Sequence, residues 1–351
     1  MPIALGIETS CDDTSVSLVT HEAEVLFLKR QTQDETHKKY GGIVPELASR
    51  NHLHLLLPLI QEALKVVPEK NVDLIAVTNR PGLLGSLLVG CITAKTLSMV
   101  WKKPIMGVNH IESHIFSSYL WNQKSLRKNQ DLVFPALSLV VSGGHSSLFY
   151  VRDVGDSILL GSTLDDAAGE ALDKFAKLLG FSWPGGPHID SWSQKSRSLE
   201  SNFFSKIQTK NLDFSFSGIK SAGYRFLSKK SKDWISKNLP EICFSYQEII
   251  VDHLIDKLEK AFQKYPTKRI LIGGGVSANT RLKVQIEKWA KSRSLECFYP
   301  EKNYCTDNAA MVAFTGLQYF LKRKTAFPID VPCTPHHLEK DFFSVNANYE
   351  S

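Results

Sequence analysis

The sequence lacks any pair of cysteines in a C-x-x-C spacing. Its six cysteines are scattered along 351 residues: Cys11, Cys91, Cys243, Cys297, Cys305 and Cys333. This pattern argues against a zinc ribbon and against a thioredoxin-like redox site. It indicates reduced thiols in a reducing compartment.

Long apolar runs are also absent. The longest, such as residues 83–96, are shorter than the roughly 20 residues that span a bilayer, so we expect no membrane segment. The N-terminus has no basic-then-apolar leader and enters a strand pattern by Ile3. We therefore expect a cytoplasmic protein.

No large charge excess is present, since the formal net charge is +6. The basic residues nevertheless cluster, mostly in the second half. Because no aromatic residues interleave the clusters, solvated helix faces are the simpler interpretation and a polyanionic partner is the alternative. The clusters are Lys124/Arg127/Lys128, Lys195/Arg197, Lys229/Lys230/Lys232, Lys264/Lys268/Arg269, Lys288/Lys291/Arg293 and Lys322/Arg323/Lys324.

What the sequence does contain is an α/β pattern that occurs twice. An apolar run, a helical stretch and a second apolar run occupy residues 72–77, 85–100 and 105–108, and again 269–272, 277–290 and 297–299. Similar strand-turn-strand openings precede them at residues 5–19 and 137–151. This repetition predicts a duplicated α/β fold with a parallel-containing sheet in each half and a central cleft between the halves.

Composition shifts predict the domain boundaries. The polar segment 122–131 separates an N-terminal lobe (1–125) from a C-terminal lobe (126–324) with a helical insertion at about 188–265. Residues 325–351 contain prolines and then mainly polar residues, a pattern that predicts a loosely held tail. Residues 43–67 predict a helix or helix pair that is broken at Pro45 and Pro58.

Two histidines suggest a metal site. His110 and His114 are four residues apart at the start of a predicted helix, just after a buried strand, so both imidazoles lie on one face. Asp307 has the matching position in the second half, and we expect the three side chains to face one another across the cleft. Two imidazoles and one carboxylate leave open positions, as in catalytic metal sites. A chance histidine pair, and a capping role for Asp307, are the alternatives.

A metalloprotease is the competing hypothesis for the histidine pair. In H-E-x-x-H the general base directly follows the first histidine, but Ile111 occupies that position here and the acid is Glu112. Glu112 is turned about 200° around the helix from the first histidine, so the geometry for activating a metal-bound water is missing.

Glycine-bearing turns suggest a nucleotide-like ligand. They lie at residues 141–145, 184–187 and 273–279, where backbone N–H groups can approach a phosphate or ribose, although plain tight turns are the alternative. Asp173 and Asp190 are candidate acceptors for ribose hydroxyls. A candidate phosphate turn lies at residues 8–13 and includes Ser10. In it, Asp12 and Asp13 either orient a metal ion or a nucleotide phosphate, or simply cap the turn.

These features together closely resemble the TsaD family, the bacterial relatives of the catalytic subunit of the KEOPS complex, formerly described as O-sialoglycoprotein endopeptidases. The resemblance runs from Gly6 to about Leu321. The matching motifs are GIETSCDDT (6–14), GGIVPELASRNH (41–52), PGLLGSLLVG (81–90), GVNHIESH (107–114), SGGH (142–145), DDAAGEALDK (165–174), PGGP (184–187), FSFSGIKSA (214–222), GGGVSAN (273–279) and CTDNAAM (305–311).

The resemblance implies an actin-like (ASKHA) two-lobed fold and transfer of a threonylcarbamoyl group from threonylcarbamoyl-AMP to N6 of adenine 37 in tRNAs that read ANN codons. It implies that one divalent ion, Fe(II) or alternatively Zn(II), is held by His110, His114 and Asp307. The implied substrate-binding residues are Val140, Val141, Ser142, Gly143, Gly144, Asp173, Gly186, Asp190 and Asn279.

The resemblance also implies partners: the tRNA anticodon loop, a TsaB-like paralogue that pairs through the N-terminal lobe, and a small TsaE-like ATPase. An actin-like small-molecule kinase, a metalloendopeptidase and a non-catalytic scaffold are the competing hypotheses. A kinase would need a catalytic aspartate and no histidine pair, and TsaB-like scaffolds lack the pair that is present here.

Overall fold

A computed structural model describes residues 1–40, 42–125, 130–197, 203–205, 209, 211–323 and 332–335 of the chain. Its strands are β1 (Ile3–Glu8), β2 (Asp13–Thr20), β3 (Val25–Thr32), β4 (Leu74–Arg80), β5 (Ile105–Asn109), β6 (Ala136–Val141), β7 (Ser146–Asp153), β8 (Asp156–Ser162), β9 (Arg269–Gly273) and β10 (Glu296–Phe298). Its helices are α1 (Asp34–Lys38), α2 (Pro45–Val66), α3 (Leu84–Trp101), α4 (His110–Phe116), α5 (Ala168–Leu178), α6 (Gly186–Ser193), α7 (Ser217–Leu227), α8 (Lys232–Lys237), α9 (Leu239–Lys264), α10 (Thr280–Lys291) and α11 (Ala309–Arg323).

The chain divides into two compact units. Unit 1 draws on Met1–Leu132, Asp153–Ser157 and Pro300–Ser351, and unit 2 on Val133–Arg152 and Ile158–Tyr299. The sheet of unit 1 has the strand order β3-β2-β1-β4-β5, and the sheet that contains β6 has the order β10-β9-β6-β7-β8. Read from its other edge, the second order repeats the first, which confirms the predicted duplication.

Strand directions repeat as well. In unit 1, β1 pairs antiparallel with β2 and parallel with β4, and β4 pairs parallel with β5. In the second sheet, β6 pairs antiparallel with β7 and parallel with β9, and β9 pairs parallel with β10. The parallel strands other than the edge strand β10 are largely buried, as expected for strands covered by helices. Their carboxyl ends carry the turns in which ligand sites of α/β sheets form.

The last helix, α11, belongs to unit 1, which differs from the predicted boundary at residue 324. It packs on β1, β2 and β4. A β-carbon at Gly6 would lie 2.2 Å from the backbone oxygen of Ala309, and one at Gly316 would lie 2.6 Å from Cβ of Ala76. Because glycine stands at both positions, the helix can approach the sheet closely. Asp307, which precedes α11, therefore lies in the same unit as His110 and His114. This differs from the predicted position of Asp307 in the C-terminal lobe.

Helix α2 is continuous from Pro45 to Val66, so the predicted break at Pro58 is not observed. Buried residues lie on both sides of Pro58, among them His52, Leu56, Leu59 and Ala63. Packing of this face against β2 and α3 holds the helix together although proline removes one backbone hydrogen bond.

Helix α3 has the length and apolar composition that a membrane span would need, and it is the one such helix among the described residues. It packs on β4 and α2 and buries Leu87, Gly90, Cys91 and Ala94. One face of α3 therefore belongs to the core of unit 1, while its opposite face is exposed.

Most of the predicted tail lies outside the described residues. Its described part, residues 332–335, is hydrogen-bonded to unit 1. The Thr334 N–H donates to the Asn79 carbonyl (3.1 Å), and Asn79 Nδ2 donates to the Pro332 carbonyl (2.9 Å). At least this short segment is tied to the end of β4. The predicted boundary segment is also only partly described, because residues 126–129 fall outside.

Candidate metal and nucleotide sites

The two candidate histidines lie on α4, a seven-residue helix that begins directly after β5. The Asn109 side chain caps this helix, since its Oδ1 accepts from the backbone N–H groups of Ile111 (2.9 Å) and Glu112 (3.3 Å). All seven helical residues are buried. The cap and the burial fix the helix where the parallel strand ends, and with it the imidazoles of His110 and His114.

The third candidate ligand, Asp307, lies in the turn before α11. Helix capping is performed by the next residue, because Asn308 Oδ1 accepts from the backbone N–H of Met311 (3.0 Å). The Asp307 carboxylate instead faces the histidines. Its Oδ1 lies 3.1 Å from Nε2 of His114 and 3.4 Å from Nε2 of His110.

The three side chains fit a divalent transition-metal ion. Their ligand atoms lie within 4.8 Å of one another. Donors that share one ion at about 2.1 Å are separated by about 3 Å, which is close to the two distances to Asp307 Oδ1. Two imidazole nitrogens and one carboxylate oxygen are the donor set of metal sites that keep open coordination positions. The structure thus brings His110, His114 and Asp307 together.

The electrostatics of this cluster favour a cation. Burial opposes ionisation of Asp307, but the two imidazoles outweigh it and hold the pKa of Asp307 well below its usual value. Burial likewise opposes a charged His110, but Asp307 and Glu8 overcome it and raise the pKa of His110. For His114 burial dominates, and its pKa is lowered. The site therefore holds an ionised Asp307 beside a neutral His114 and beside a His110 that must release a proton before Nε2 can bind an ion.

The predicted phosphate turn adjoins this cluster. Ser10 Oγ is buried and lies 3.2 Å from Nδ1 of His110. Burial raises the pKa of Asp12, with a smaller contribution from Asp307. Burial also raises the pKa of Asp13 to about 7, although Arg30 opposes this shift. The structure therefore brings Ser10 into contact with His110, and Arg30 links Asp13 (3.6 Å) to the backbone carbonyl of Asp307 (3.4 Å).

In unit 2, the candidate residues Val140 and Val141 end β6, and Ser142–Gly144 form the turn that follows. The Ser142 N–H donates to the carbonyl of His145 (2.7 Å), and Ser142 Oγ accepts from the His145 N–H (3.1 Å). A β-carbon at Gly143 or Gly144 would have no neighbour within 4 Å. The turn is internally bonded and open on its outer side, so a ligand could approach its backbone closely.

The predicted ribose acceptor Asp173 has another partner in this structure. Its Oδ1 accepts from the backbone N–H groups of Gly185 (2.8 Å) and Gly186 (2.9 Å). Asp173 therefore fixes the proline-glycine turn that starts α6. Burial nevertheless raises the pKa of Asp173.

The candidates Asp190 and Asn279 are joined by the start of α10. Asp190 Oδ2 accepts from the N–H (3.2 Å) and the hydroxyl (2.7 Å) of Thr280. Asn279 Oδ1 caps α10 by accepting from the Leu282 N–H (2.9 Å), and Asn279 Nδ2 donates to Gln247 Oε1 (2.7 Å). Gly186 and Asp190 share α6, so these candidates form one connected group.

The glycine turn after β9 completes this group. Gly273 pairs with Val140 across the sheet. Gly274 has φ +84°, and a β-carbon there would lie 2.3 Å from the carbonyl oxygen of Val141. Only glycine allows this close approach of the two turns. Val140–Gly144 and Asn279 thus lie at or near the carboxyl ends of β6 and β9, and Asp173, Gly186 and Asp190 are linked to them through α6 and Thr280.

Some structurally important residues were not singled out from the sequence. Glu8 contacts His110, Thr78 contacts Glu8, and Gln247 contacts Asn279. The sequence did contain one signal for Glu8, an acidic residue at the end of an otherwise apolar strand. Thr78 and Gln247 have no comparable sequence signal.

Comparison with known proteins identifies the family by sequence. Residues 24–314 match the family model described as TsaD: tRNA N6-adenosine threonylcarbamoyltransferase. The chain is 43% identical to a protein of that name from Bdellovibrio bacteriovorus, an alignment that covers 96% of this chain and 98% of the relative. It is 41% identical to the protein of the same name from Carboxydothermus hydrogenoformans, over 95% and 96% of the two chains.

Solved structures agree on the fold. HypF from T. kodakarensis matches 92% of this chain and 48% of its own, with a TM-score of 0.60 and 13% identity. Component A of the Acidaminococcus fermentans (R)-2-hydroxyglutaryl-CoA dehydratase matches 91% and 99%, with a TM-score of 0.51 and 13% identity. These likenesses show an actin-like fold, as predicted. With the sequence matches, they establish that the chain belongs to the TsaD family of tRNA N6-adenosine threonylcarbamoyltransferases.

Proposed function

We propose that this enzyme transfers the threonylcarbamoyl group from threonylcarbamoyl-AMP to N6 of adenine 37 in tRNAs that read ANN codons. The observation that carries the proposal is the convergence of His110, His114 and Asp307 in a chain of the threonylcarbamoyltransferase family. We further propose Fe(II) as the resident ion, because two imidazoles and one carboxylate are its common ligand set, with Zn(II) as the alternative.

The chemistry that a divalent ion supplies in such a site is Lewis-acid polarisation of a carbonyl oxygen, here that of the carbamoyl group. The chain's own residues hold and shield this site. His110 and His114 are 5% and 1% exposed, so the ligand nitrogens are largely protected from water. The adenine amine is a weak nucleophile, and positioning of both substrates should therefore contribute much of the rate.

We propose that unit 2 binds the adenylate part of the donor. The support is the connected group that runs from the open Ser142–Gly144 turn to Asn279. Backbone N–H groups of such turns suit a phosphate, and AMP is an acidic leaving group that needs little proton transfer. Asp190 Oδ1 is a buried atom without a hydrogen-bond partner among the described residues, which suits an acceptor for a ligand hydroxyl.

We propose that the basic clusters bind tRNA. Some of these residues are already paired: Arg293 contacts Glu259 (2.5 Å) and Arg269 contacts Glu296 (2.7 Å). Lys229, Lys230 and Lys232, around the turn between α7 and α8, are exposed. Lys230 lies over the ring of Trp234, 4.6 Å from its centroid. An exposed cationic turn with an aromatic ring suits a nucleic-acid backbone and its bases. Action on tRNA also leads us to propose a cytoplasmic location.

We propose a TsaB-like paralogue as the partner of unit 1 and a small TsaE-like ATPase as a further partner. Helices α2 and α3 pack against each other, and both present exposed apolar side chains. These residues are Leu53, Leu57, Leu84, Leu88 and Ile92, which are 61%, 55%, 47%, 41% and 59% exposed. They recur every four residues along each helix, and such an apolar stripe is typical of a protein interface.

The competing hypotheses have less support. For a metallopeptidase, Glu112 would have to face the metal ligands. Instead it is buried, and the charges that act on its carboxyl group are those of Arg80 and Arg323. For a small-molecule kinase, the curated relatives give no support, since they carry the name of the transferase.

The test is mass spectrometry of tRNA nucleosides after incubation of the enzyme with threonylcarbamoyl-AMP, ANN-reading tRNA and the two partner proteins. His110→Ala should lower the yield of the modified nucleoside to below about 1% of wild type. Loss of a direct ligand should cost more than the 10- to 100-fold that is typical of outer-shell partners. His21→Ala, which alters a histidine of unit 1 outside the cluster, is the control. Full activity of folded His110→Ala would contradict the metal role.

A further inference from the structure

The acidic residue behind His110 is Glu8, the last residue of β1. Its side chain is 1% exposed. Glu8 Oε2 lies 3.0 Å from Nδ1 of His110. This nitrogen is on the opposite side of the ring from Nε2, which faces Asp307. The imidazole is therefore held between two carboxylates, one at each ring nitrogen.

Two oxygens face Nδ1 of His110, Glu8 Oε2 and Ser10 Oγ (3.2 Å). The Ser10 hydroxyl can either donate or accept, so the contact with Glu8 decides which nitrogen carries the proton. An imidazole that binds a metal ion through one nitrogen has one N–H and one lone pair, and an ionised carboxylate can only accept a hydrogen bond. A proton on Nδ1 satisfies Glu8 and leaves the lone pair of Nε2 directed toward Asp307 and His114. The opposite tautomer would place a lone pair against the Glu8 carboxylate and a proton where an ion must bind.

Glu8 is itself held in place by the sheet. β1 and β4 are parallel neighbours in which Ile7 pairs with Val77, so Glu8 and Thr78 are adjacent. The Thr78 hydroxyl donates to Glu8 Oε2 (2.5 Å), and the Ser10 N–H donates to Oε1 (2.6 Å). The carboxylate therefore has a donor on each oxygen besides the histidine, and a rigid central strand fixes its position.

The other histidine lacks such a contact. Nδ1 of His114 is buried and has no hydrogen-bond partner among the described residues.

The charge of Glu8 is not balanced by a basic side chain, because no lysine or arginine among the described residues forms an ion pair with it. Two carboxylates, Glu8 and Asp307, therefore flank one imidazole, and a divalent cation would balance their charge. The arrangement is that of a carboxylate–histidine–metal triad.

We infer that Glu8 is a positioning residue that fixes the tautomer and ring orientation of His110, so that Nε2 is available to a divalent metal ion. This inference rests on the proposed metal site. It assigns to the first strand of unit 1 a role in setting metal affinity, beyond the three direct ligands.

The affinity test measures Zn(II) binding to the full-length protein by competition with a chelator. Glu8→Gln should weaken binding about 10- to 100-fold, since an outer-shell partner contributes that much. Glu112→Gln is the matched control, because it removes another buried carboxyl group of the same region that has no bond to either histidine among the described residues. Its affinity should stay within about threefold of wild type. Equal losses in both variants would show a general effect of altering a buried carboxyl group and overturn the inference.

A second measurement needs no variant. In ¹⁵N-histidine-labelled, zinc-bound wild type, His110 should carry its proton on Nδ1 and a metal-bound Nε2, with the signal assigned from its absence in His110→Ala. The opposite tautomer would overturn the inference even if Glu8→Gln failed to fold. If wild type bound no zinc, the proposed metal site itself would fail. If wild type bound zinc and folded Glu8→Gln bound it equally well, the positioning role alone would fail.

Discussion

Two buried histidines show how local surroundings decide the charge of the same side chain. His110 has a carboxylate at each ring nitrogen, and these overcome the effect of burial on its pKa. His253 on α9 is 3% exposed and stands edge-on to the rings of Phe214 and Phe216, with centroid distances of 5.9 and 5.4 Å. No described residue bonds to its ring nitrogens, and burial lowers its pKa to about 4. The surroundings of His110 therefore favour positive charge, and those of His253 favour a neutral ring in an apolar core.

The lowered pKa of His253 predicts a pH-dependent stability. Between about pH 6.5 and pH 4 the unfolded chain binds a proton at this residue and the folded chain does not. The contribution of His253 to the free energy of unfolding should therefore decrease as the pH falls through this window, by up to about 1.4 kcal/mol per pH unit and about 3 kcal/mol in total. Urea unfolding followed by circular dichroism at several pH values measures this slope.

The variant His253→Phe should lack this contribution, so its slope should be smaller than that of wild type by about this amount, whatever the substitution does to the absolute stability. His54→Gln, which alters an exposed histidine on α2, should keep the slope of wild type. An unchanged slope in His253→Phe would contradict the assignment.

At the scale of elements, periodicity in the sequence predicted individual strands and helices but not all of their partners. The apolar runs at 72–77, 105–108 and 269–272 correspond to β4, β5 and β9. Helix α11 is apolar enough to be recognised as buried, but a period of 3.6 residues does not tell which sheet it covers. The close fit of α11 to β1 depends on Gly6 and Gly316, and this pairing is a tertiary property.

The candidate site shows the same limit. The spacing of His110 and His114 was visible in the sequence, and so was the position of Asp307 before a helix. That all three lie in one unit was not, because it follows from the packing of α11. In the sequence, Glu8 is only part of a turn, since the hydrogen bonds that distinguish it reach Thr78 on β4 and His110 on α4, 70 and 102 residues away.

The packing of α11 predicts a specific sensitivity at Gly6. In Gly6→Ala the new methyl group would lie 2.2 Å from the Ala309 carbonyl oxygen and 2.8 Å from Cβ of Ala313. Either the helix or the strand must shift, at a cost of about 1–3 kcal/mol. Because Asp307 precedes this helix, Zn(II) affinity should fall together with thermal stability.

Differential scanning calorimetry and chelator competition on the same samples measure the two effects. Gly42→Ala is the matched control, since a β-carbon there would have no neighbour within 4 Å. Unchanged stability in Gly6→Ala would mean that α11 does not pack on β1 as described. Reduced stability with unchanged zinc affinity would mean that the position of Asp307 does not depend on this contact.

At the scale of the whole molecule, the two candidate sites are each built within one unit. The metal ligands and their supporting acid Glu8 belong to unit 1, and the nine candidate substrate-binding residues belong to unit 2. Zinc affinity and nucleotide affinity therefore report on different units of the same chain. The apolar stripe of α2 and α3 belongs to unit 1 as well, and it can be altered without touching either group of residues.

The stripe predicts how assembly with the proposed TsaB-like partner can be broken. Replacing Leu57 and Leu88 together by glutamate would put two charges on an apolar contact, and the dissociation constant should rise at least about 100-fold. Both side chains are already exposed, at 55% and 41%, so the isolated chain should keep its circular dichroism spectrum and its zinc affinity. Val284→Glu on α10, which is 50% exposed in unit 2, is the matched control. Size-exclusion chromatography with light scattering measures complex formation, and an intact complex with the double variant would place the partner on another face.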